Sequence, residues 1–202
     1  MSTLRDYYLK LQEFESATPV DLVAPWQPEV VEAIHGDFAG ALASGVLREA
    51  TVNIPAATSN QSIGNKIANF AATRIDTALQ QFRIESCTGQ GYPDRILRRL
   101  LDQSRYPAEL KATSAWNPAD SNRRVITSST AKLRRQFTQP INHLLITFSY
   151  TLNTVTEHAS VTAIRMDFVE PDTIVNIRLE ASVSHRLLAE GKHRHFTLRC
   201  IS

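Results

Sequence analysis

Residues 141–150 form a nearly continuous apolar run, and this run constrains the fold more than any other segment of the chain. A short apolar run without a helical period is typical of a strand that is covered on both faces of its sheet. We therefore predict a buried central strand here, and the other segments have to be arranged around it.

The segments before this strand predict the order helix, strand, strand, strand, helix, strand. The longest periodic segment, residues 60–82, predicts a helix whose buried face carries Ile63, Ile67 and Phe70. Three strand candidates and one further helix follow it, over residues 83–88, 94–101, 108–113 and 129–138. The spacing over 94–101 also suits a helix, and we favour a strand there because the chemistry described below needs Asp94 beside Glu109. This order predicts an α/β fold with a mixed (α+β) sheet, whose core spans residues 60–150.

Two further regions flank this core within a single predicted domain, residues 1–202. The N-terminal region, residues 1–58, predicts a helical cap or dimerisation region. Its helices are expected over residues 4–15, 28–35 and 38–48, with a break at Gly36-Asp37-Phe38. The C-terminal region, residues 151–202, predicts an extension of the core. Its expected elements are a strand over 160–169, a strand or helix over 174–179, a short helix over 181–190 and a last strand near 196–200.

The composition is that of a soluble globular domain. The chain has 202 residues, of which 43% are hydrophobic and 21% are charged. No apolar run approaches the roughly 20 residues of a membrane span, and the N-terminus carries no apolar signal segment. The two cysteines, Cys87 and Cys200, do not make a disulfide framework. We therefore expect a cytoplasmic protein without a membrane partner.

A Pro-Asp pair and a Glu-Leu-Lys triplet carry the chemistry that the sequence suggests. Because strand side chains alternate, Glu109 and Lys111 should point to one face of a sheet and Leu110 to the other. If Asp94 lies on the neighbouring strand of a hairpin, its carboxylate approaches that of Glu109. Two carboxylates and an ammonium at one place suit a hard cation such as Mg²⁺ and the phosphate that it would hold.

The distribution of charge supports a polyanionic substrate at this place. Residues 91–136 contain 10 Lys/Arg and 4 Asp/Glu, a net charge of +6, whereas residues 1–90 contain 6 and 10, a net charge of −4. The basic excess therefore surrounds the proposed carboxylates, as nucleic-acid binding requires. A solvated basic surface without a ligand is the alternative interpretation.

These residues resemble the motif of the PD-(D/E)xK nuclease superfamily, which includes most type II restriction endonucleases. The five matching positions are Pro93-Asp94 and Glu109-Leu110-Lys111. A looser resemblance covers residues 60–150, where the order of elements agrees with the αβββαβ core of that fold. The resemblance implies a restriction-endonuclease-like core with an N-terminal helical region and extra C-terminal strands.

The resemblance also implies the roles of individual residues. Asp94 and Glu109 would bind Mg²⁺, together with the backbone carbonyl of Leu110. Lys111 would orient or deprotonate the attacking water, or bind the phosphate. In many restriction enzymes a preceding helix contributes an acidic residue, and Asn69 and Asp76 occupy that helix here.

The function implied is that of a type II restriction endonuclease, a site-specific deoxyribonuclease that hydrolyses double-stranded DNA at a short sequence. Cutting both strands of a palindrome calls for a two-fold homodimer. One alternative is a structure-selective repair or junction-resolving nuclease of the same superfamily. Another is a non-catalytic DNA-binding protein with the same fold.

Residues after the triplet are candidates for DNA contacts. Arginine forks suit phosphate oxygens and guanine edges, and Asn117 or Asn122 could read adenine. The N-terminus of the helix predicted over 129–138 is a natural phosphate site. The candidates are Trp116, Asn117, Asn122, Arg123, Arg124, Ser128, Ser129, Lys132, Arg134 and Arg135.

Other catalytic interpretations have less support in the sequence. His193 and His195 could chelate a metal, but no second pair has zinc-like spacing. Cys87 with a distant histidine could form a thiol site, although no signature surrounds it.

Overall fold

A computed structural model describes residues 2–89, 91–116, 126, 129–179, 185–190 and 193–200. Over 176–179 and 185–190 the description concerns the backbone. In these ranges the helices are α1 (Leu4–Phe14), α2 (Pro28–Ala43), α3 (Asn60–Asp76) and α4 (Ala131–Gln136). The strands are β1 (Ser2–Thr3), β2 (Thr51–Asn53), β3 (Phe82–Ser86), β4 (Arg95–Arg99), β5 (Arg105–Thr113), β6 (His143–Asn153), β7 (His158–Val169), β8 (Ile174–Leu179), β9 (His185–Glu190) and β10 (Arg194–Arg199).

The main sheet has the strand order β10-β7-β6-β5-β4-β3, and β2 pairs with the first residues of β7. Its neighbouring strands are antiparallel except for β5 and β6, which are parallel. The crossover that a parallel pair requires contains α4. A small antiparallel sheet, β1-β8-β9, accompanies the main sheet. The predicted α/β class with a mixed sheet is confirmed.

One face of the main sheet is apolar and lies under helices α2 and α3. Alternate residues of the central strands, such as Leu110, Ile146 and Met166, point into this layer and are buried. The buried side of α3, including Ile67 and Ile75, packs against them. Strand alternation therefore assigns the intervening residues to the opposite face.

The opposite face has a separate apolar cluster at one end. Helix α1 contributes Tyr7, Tyr8 and Leu11 to it, and Leu133 of α4 joins them. Val169 at the end of β7 also belongs to this cluster, whereas its neighbour Phe168 belongs to the first. The sheet is thus covered on both faces at this end.

Helix α2 differs from its prediction, because it continues through Gly36 and Gly40 as far as Ala43. The predicted break at Gly36-Asp37-Phe38 and the separate helix over 38–48 are therefore wrong. Phe38 is fully buried, so apolar packing continues across the glycines. Asp37 has a structural role as well, since its carboxylate accepts hydrogen bonds from the backbone N–H groups of residues 80–82.

Three other boundaries are corrected. Helix α3 ends at Asp76 instead of residue 82, and Phe82 begins β3. Helix α4 has 6 residues, Ala131–Gln136, where residues 129–138 were expected. Residues 185–190 form strand β9 paired with β8, so the helix predicted over 181–190 is wrong in that range. Residues 181–184 lie outside the described part of the chain.

Candidate active site

Asp94 is held beside β5 by backbone hydrogen bonds. It lies directly before β4, and its N–H donates to the carbonyl of Ala108 at 3.1 Å. Its carboxylate Oδ2 accepts a hydrogen bond from the Leu110 N–H at 2.9 Å. The antiparallel pairing of β4 with β5 therefore brings the Pro-Asp pair to the Glu-Leu-Lys triplet, as the hairpin hypothesis expected.

The carboxyl group of Glu109 is buried and only partly hydrogen-bonded. Its residue is only 6% exposed, and Lys111 Nζ donates a hydrogen bond to its Oε1. Its Oε2 is buried and has no hydrogen-bond partner among the described residues. An unsatisfied buried polar atom costs about 1–3 kcal/mol and calls for an ion, a water or a functional explanation.

The surroundings of Glu109 favour its protonated form. Burial raises the pKa of Glu109 to about 8, Lys111 acts in the opposite direction, and the nearby Asp94 carboxylate raises it further. Burial is the main cause of the raised pKa values of the Tyr8 and Tyr92 phenols. The nearby charge of Glu109 raises both pKa values further. Glu109 therefore holds a proton at neutral pH, and a bound cation would be favourable at the same position.

The backbone carbonyl of Leu110 points towards the same place. The N–H and C=O groups of one strand residue point to the same neighbouring strand. The Leu110 N–H donates to Asp94, so its carbonyl is also directed to the β4 side, beyond the start of that strand. Two carboxylates and this carbonyl are oxygen donors of the kind that Mg²⁺ binds.

A pocket of about 240 Å³ opens next to Asp94, between α3, the start of β4 and α4. It is lined by Asn65, Ala68, Asn69, Cys87, Gly89, Asp94, Arg95, Leu110 and Lys132. Glu109 and Lys111 do not line it, because they alternate with Leu110 and point to the opposite face. Asp94 therefore stands between the pocket and the buried Glu109.

Lys132 fixes the loop that leads to Asp94. Its ammonium donates to the backbone carbonyls of Gly89, Gly91 and Pro93 at 3.0, 2.8 and 2.6 Å. These three bonds use all the protons of the group, and the residue is only 6% exposed. The sequence suggested a DNA contact for Lys132, whereas the structure directs its ammonium inward, where it holds the backbone.

The two auxiliary candidates on α3 have different positions. Asn69 lines the pocket and accepts a hydrogen bond from Arg95. Asp76 lies at the end of the helix, where its Oδ1 accepts from the Ile84 N–H at 2.6 Å. Asn69 therefore belongs to the candidate site, and Asp76 joins α3 to β3 instead.

The predicted DNA-binding residues do not form one group. Trp116 packs against Arg165, whose guanidinium carbon lies 4.6 Å from the centre of its ring. Arg134 forms an ion pair with Glu15 of 3.6 Å, and Arg135 is exposed on α4. Ser129, which precedes α4, accepts a hydrogen bond from the N–H of Ala131. Asn117, Asn122, Arg123, Arg124 and Ser128 lie outside the described residues.

A second charged cluster on β7 was not predicted. Asp167 is buried and accepts hydrogen bonds from both Nε and Nη2 of Arg165, at 2.8–3.1 Å. His193 Nε2 lies 2.9 Å from the same carboxylate. The alternation over residues 160–169 could have placed Arg165 and Asp167 on one face, although only the fold brings His193 to them.

No family model matches the chain, and no curated protein matches it. Within the described residues, no group of three or more His, Cys, Asp or Glu side chains is arranged to hold a metal ion. A cation at Asp94 and Glu109 would consequently depend on two carboxylates, a carbonyl and water. The helices in the described part of the chain lack the combination of length and apolar character that a bilayer crossing requires.

Proposed function

We propose that this protein is a Mg²⁺-dependent endonuclease that hydrolyses phosphodiester bonds of double-stranded DNA. The observation that carries the proposal is the meeting of Asp94, directly before β4, with Glu109 of β5, and the bond of Lys111 to Glu109. Glu109 is buried with one unsatisfied oxygen, which a cation would satisfy. In the metal-free protein the proton that Glu109 holds beside Asp94 would occupy the same position.

The order of elements supports a restriction-endonuclease-like core. From α3 to β6 the chain runs helix, strand, strand, strand, helix, strand, and the parallel strands β5 and β6 are joined through α4. This is the αβββαβ order that the motif implies. Two features therefore support the proposal. One is the spacing of the Pro-Asp pair and the Glu-Leu-Lys triplet, and the other is the order of the elements from α3 to β6.

Mg²⁺ would be held by Asp94, Glu109 and the Leu110 carbonyl, and when bound it would neutralise phosphate charge and acidify a coordinated water. Asp94 is oriented for this role by the Leu110 N–H, which leaves its second oxygen for other partners. Lys111 would place its ammonium beside the reacting phosphate while it remains bonded to Glu109. Asn69 and Arg95 would form the wall of the site on the α3 side.

Within this class we propose a type II restriction endonuclease acting as a homodimer, since one active site cuts one strand. The net charge of +6 over residues 91–136, the segment that contains the acid pair, suits a duplex polyanion. A structure-selective nuclease would share the acid pair and would differ in its substrate, so the substrate assay separates the two.

Plasmid digestion tests the proposal. The wild-type protein should give discrete fragments with Mg²⁺ and none with EDTA, and Asp94→Asn should lose the activity. The matched control is Asp172→Asn, an exposed aspartate in the turn before β8, which should cut like the wild type. Nicking of branched DNA alone would identify a structure-selective enzyme. An Asp94→Asn variant that cuts normally would contradict the proposed site.

A further inference from the structure

Pairing of the strands relates Lys111 to residues at the opposite edge of the sheet. Strand pairing sets Lys111 beside Thr147 of β6, Thr147 beside Arg165 of β7, and Arg165 beside Thr197 of β10. One row further along the strands, Ser149, Ala163 and Arg199 are neighbours in the same way. Directly paired residues share a face. All of them therefore lie on the face that carries Glu109 and Lys111.

The β7 and β10 residues of these rows, together with Ser149, line a groove of about 310 Å³, whereas Lys111 and the buried Thr147 do not. The groove is separate from the pocket at Asp94. A bulge in β7 widens its lining. Ser149 pairs with Ala163 and Tyr150 with Val161, so Thr162 is an extra residue without a pairing partner on β6. Bulges redirect side chains at functional surfaces. The groove offers hydroxyl groups, two guanidinium groups and one indole from Trp116, Ser149, Thr162, Arg165, Thr197 and Arg199.

Arg165 is held rigidly in this groove. Asp167 binds it through two nitrogens, and its guanidinium carbon lies 4.6 Å from the ring centre of Trp116. Its side chain is 20% exposed, which leaves part of the guanidinium open to the groove. Arg199 is exposed at the groove edge. A fixed cation beside an exposed one suits a phosphate chain, because little side-chain entropy is lost on binding to the first.

We propose that this groove binds the sugar-phosphate backbone of the DNA a few nucleotides from the bond cleaved at Asp94 and Glu109. The inference rests on the proposed nuclease function. Lys111 and Arg165 lie two strands apart, about 10 Å at the usual strand spacing. One DNA backbone that passes Lys111 can therefore bring a neighbouring phosphate to this groove. Arg199 would neutralise one phosphate, and Arg165, whose charge is paired with Asp167, would donate a hydrogen bond to a neighbouring one.

DNA binding without cleavage tests this groove. Fluorescence anisotropy with a labelled duplex, with Ca²⁺ in place of Mg²⁺, measures the dissociation constant over a series of salt concentrations. Arg199→Gln should bind about 3- to 10-fold more weakly, and its log–log salt slope should fall by about 1, as for one lost phosphate contact. Arg199→Glu should weaken binding further. Arg199 is exposed, so neither change threatens the fold.

The matched control is Arg48→Gln, an exposed arginine in the turn after α2, which should bind like the wild type. If Arg199→Gln and Arg199→Glu bind like Arg48→Gln while the wild type cuts DNA, the groove proposal is overturned and the nuclease proposal stands. A wild-type protein that neither binds nor cuts duplex DNA overturns both.

Discussion

Glu109 and Asp167 are buried carboxyl groups on the same face of the sheet, and both lie beside Leu145 of the strand between them. Each has a basic residue two positions away on its own strand, Lys111 and Arg165 respectively. Their pKa values nevertheless change in opposite directions. Burial raises that of Glu109 to about 8, whereas hydrogen bonds from His193 and Arg165 outweigh burial at Asp167 and lower its pKa.

The difference lies in how completely each carboxylate is satisfied. The Asp167 carboxylate accepts three hydrogen bonds from the guanidinium of Arg165, and His193 Nε2 makes a fourth contact with it. Glu109 has one contact to Lys111, one unsatisfied oxygen and a second carboxylate nearby. The same acid–base spacing in sequence therefore forms a structural ion pair on β7 and a site that favours a further positive charge on β5.

Loss of the structural pair should have the largest effect on stability. Asp167→Asn removes the counter-charge of a mostly buried arginine and should lower the free energy of unfolding by about 3 kcal/mol. Glu109→Gln removes an unfavourable buried acid, so it should cost much less or increase stability at pH 8. Urea unfolding of both variants measures this contrast. Equal losses in the two variants would contradict the distinction between the carboxylates.

The pH dependence of stability should show the same contrast. Glu109 binds a proton more tightly in the native state than in the unfolded chain, so its contribution is complete below pH 4.5 and is lost as the pH rises towards 8. The slope is at most about 1.4 kcal/mol per pH unit. Wild-type stability in EDTA should therefore fall over this range relative to Glu109→Gln. Parallel curves for the two proteins would refute the high pKa.

A smaller loss should follow Lys132→Met. This change leaves the carbonyls of Gly89, Gly91 and Pro93 without their buried donor, which should lower the free energy of unfolding by about 2 kcal/mol. Lys66→Met on the exposed side of α3 is the control and should change stability by less than about 0.5 kcal/mol. If Lys132→Met is as stable as that control, the ammonium does not hold the loop.

Local patterns predicted the core elements well for a physical reason. The strands over 108–113 and 141–150 follow from alternation or continuous apolar character, and the structure has β5 and β6 there. The apolar spacing over 94–101 suits a helix as well as a strand, and only the need to place Asp94 beside Glu109 favoured the strand that the structure has as β4. The helix expected over 181–190 failed in the described range, because β9 is determined by its pairing with β8. The course of α2 through Gly36 likewise depends on packing around Phe38, which the local glycine signal does not contain.

The candidate site was predictable only in part. The motif spacing, together with the hairpin that its chemistry requires, brought Asp94 to the triplet at Glu109. The burial of Glu109, the inward ammonium of Lys132 and the contact of Arg165 with Trp116 all depend on residues far apart in the chain. Sequence patterns indicate which face of a helix or strand a residue occupies. They do not show whether a basic side chain on that face binds a ligand or holds a loop of the protein.

Direct measurement of divalent cation binding is the sharpest test of the proposed difference between the two carboxylates. Isothermal titration calorimetry of Mg²⁺ into the wild-type protein should detect saturable binding that Asp94→Asn loses and Asp172→Asn retains. Binding at Asp94 and Glu109 should also release protons near pH 7, because the cation replaces the proton on Glu109. Absence of Mg²⁺ binding to the wild type, or unchanged binding to Asp94→Asn, would contradict a cation site at this acid pair.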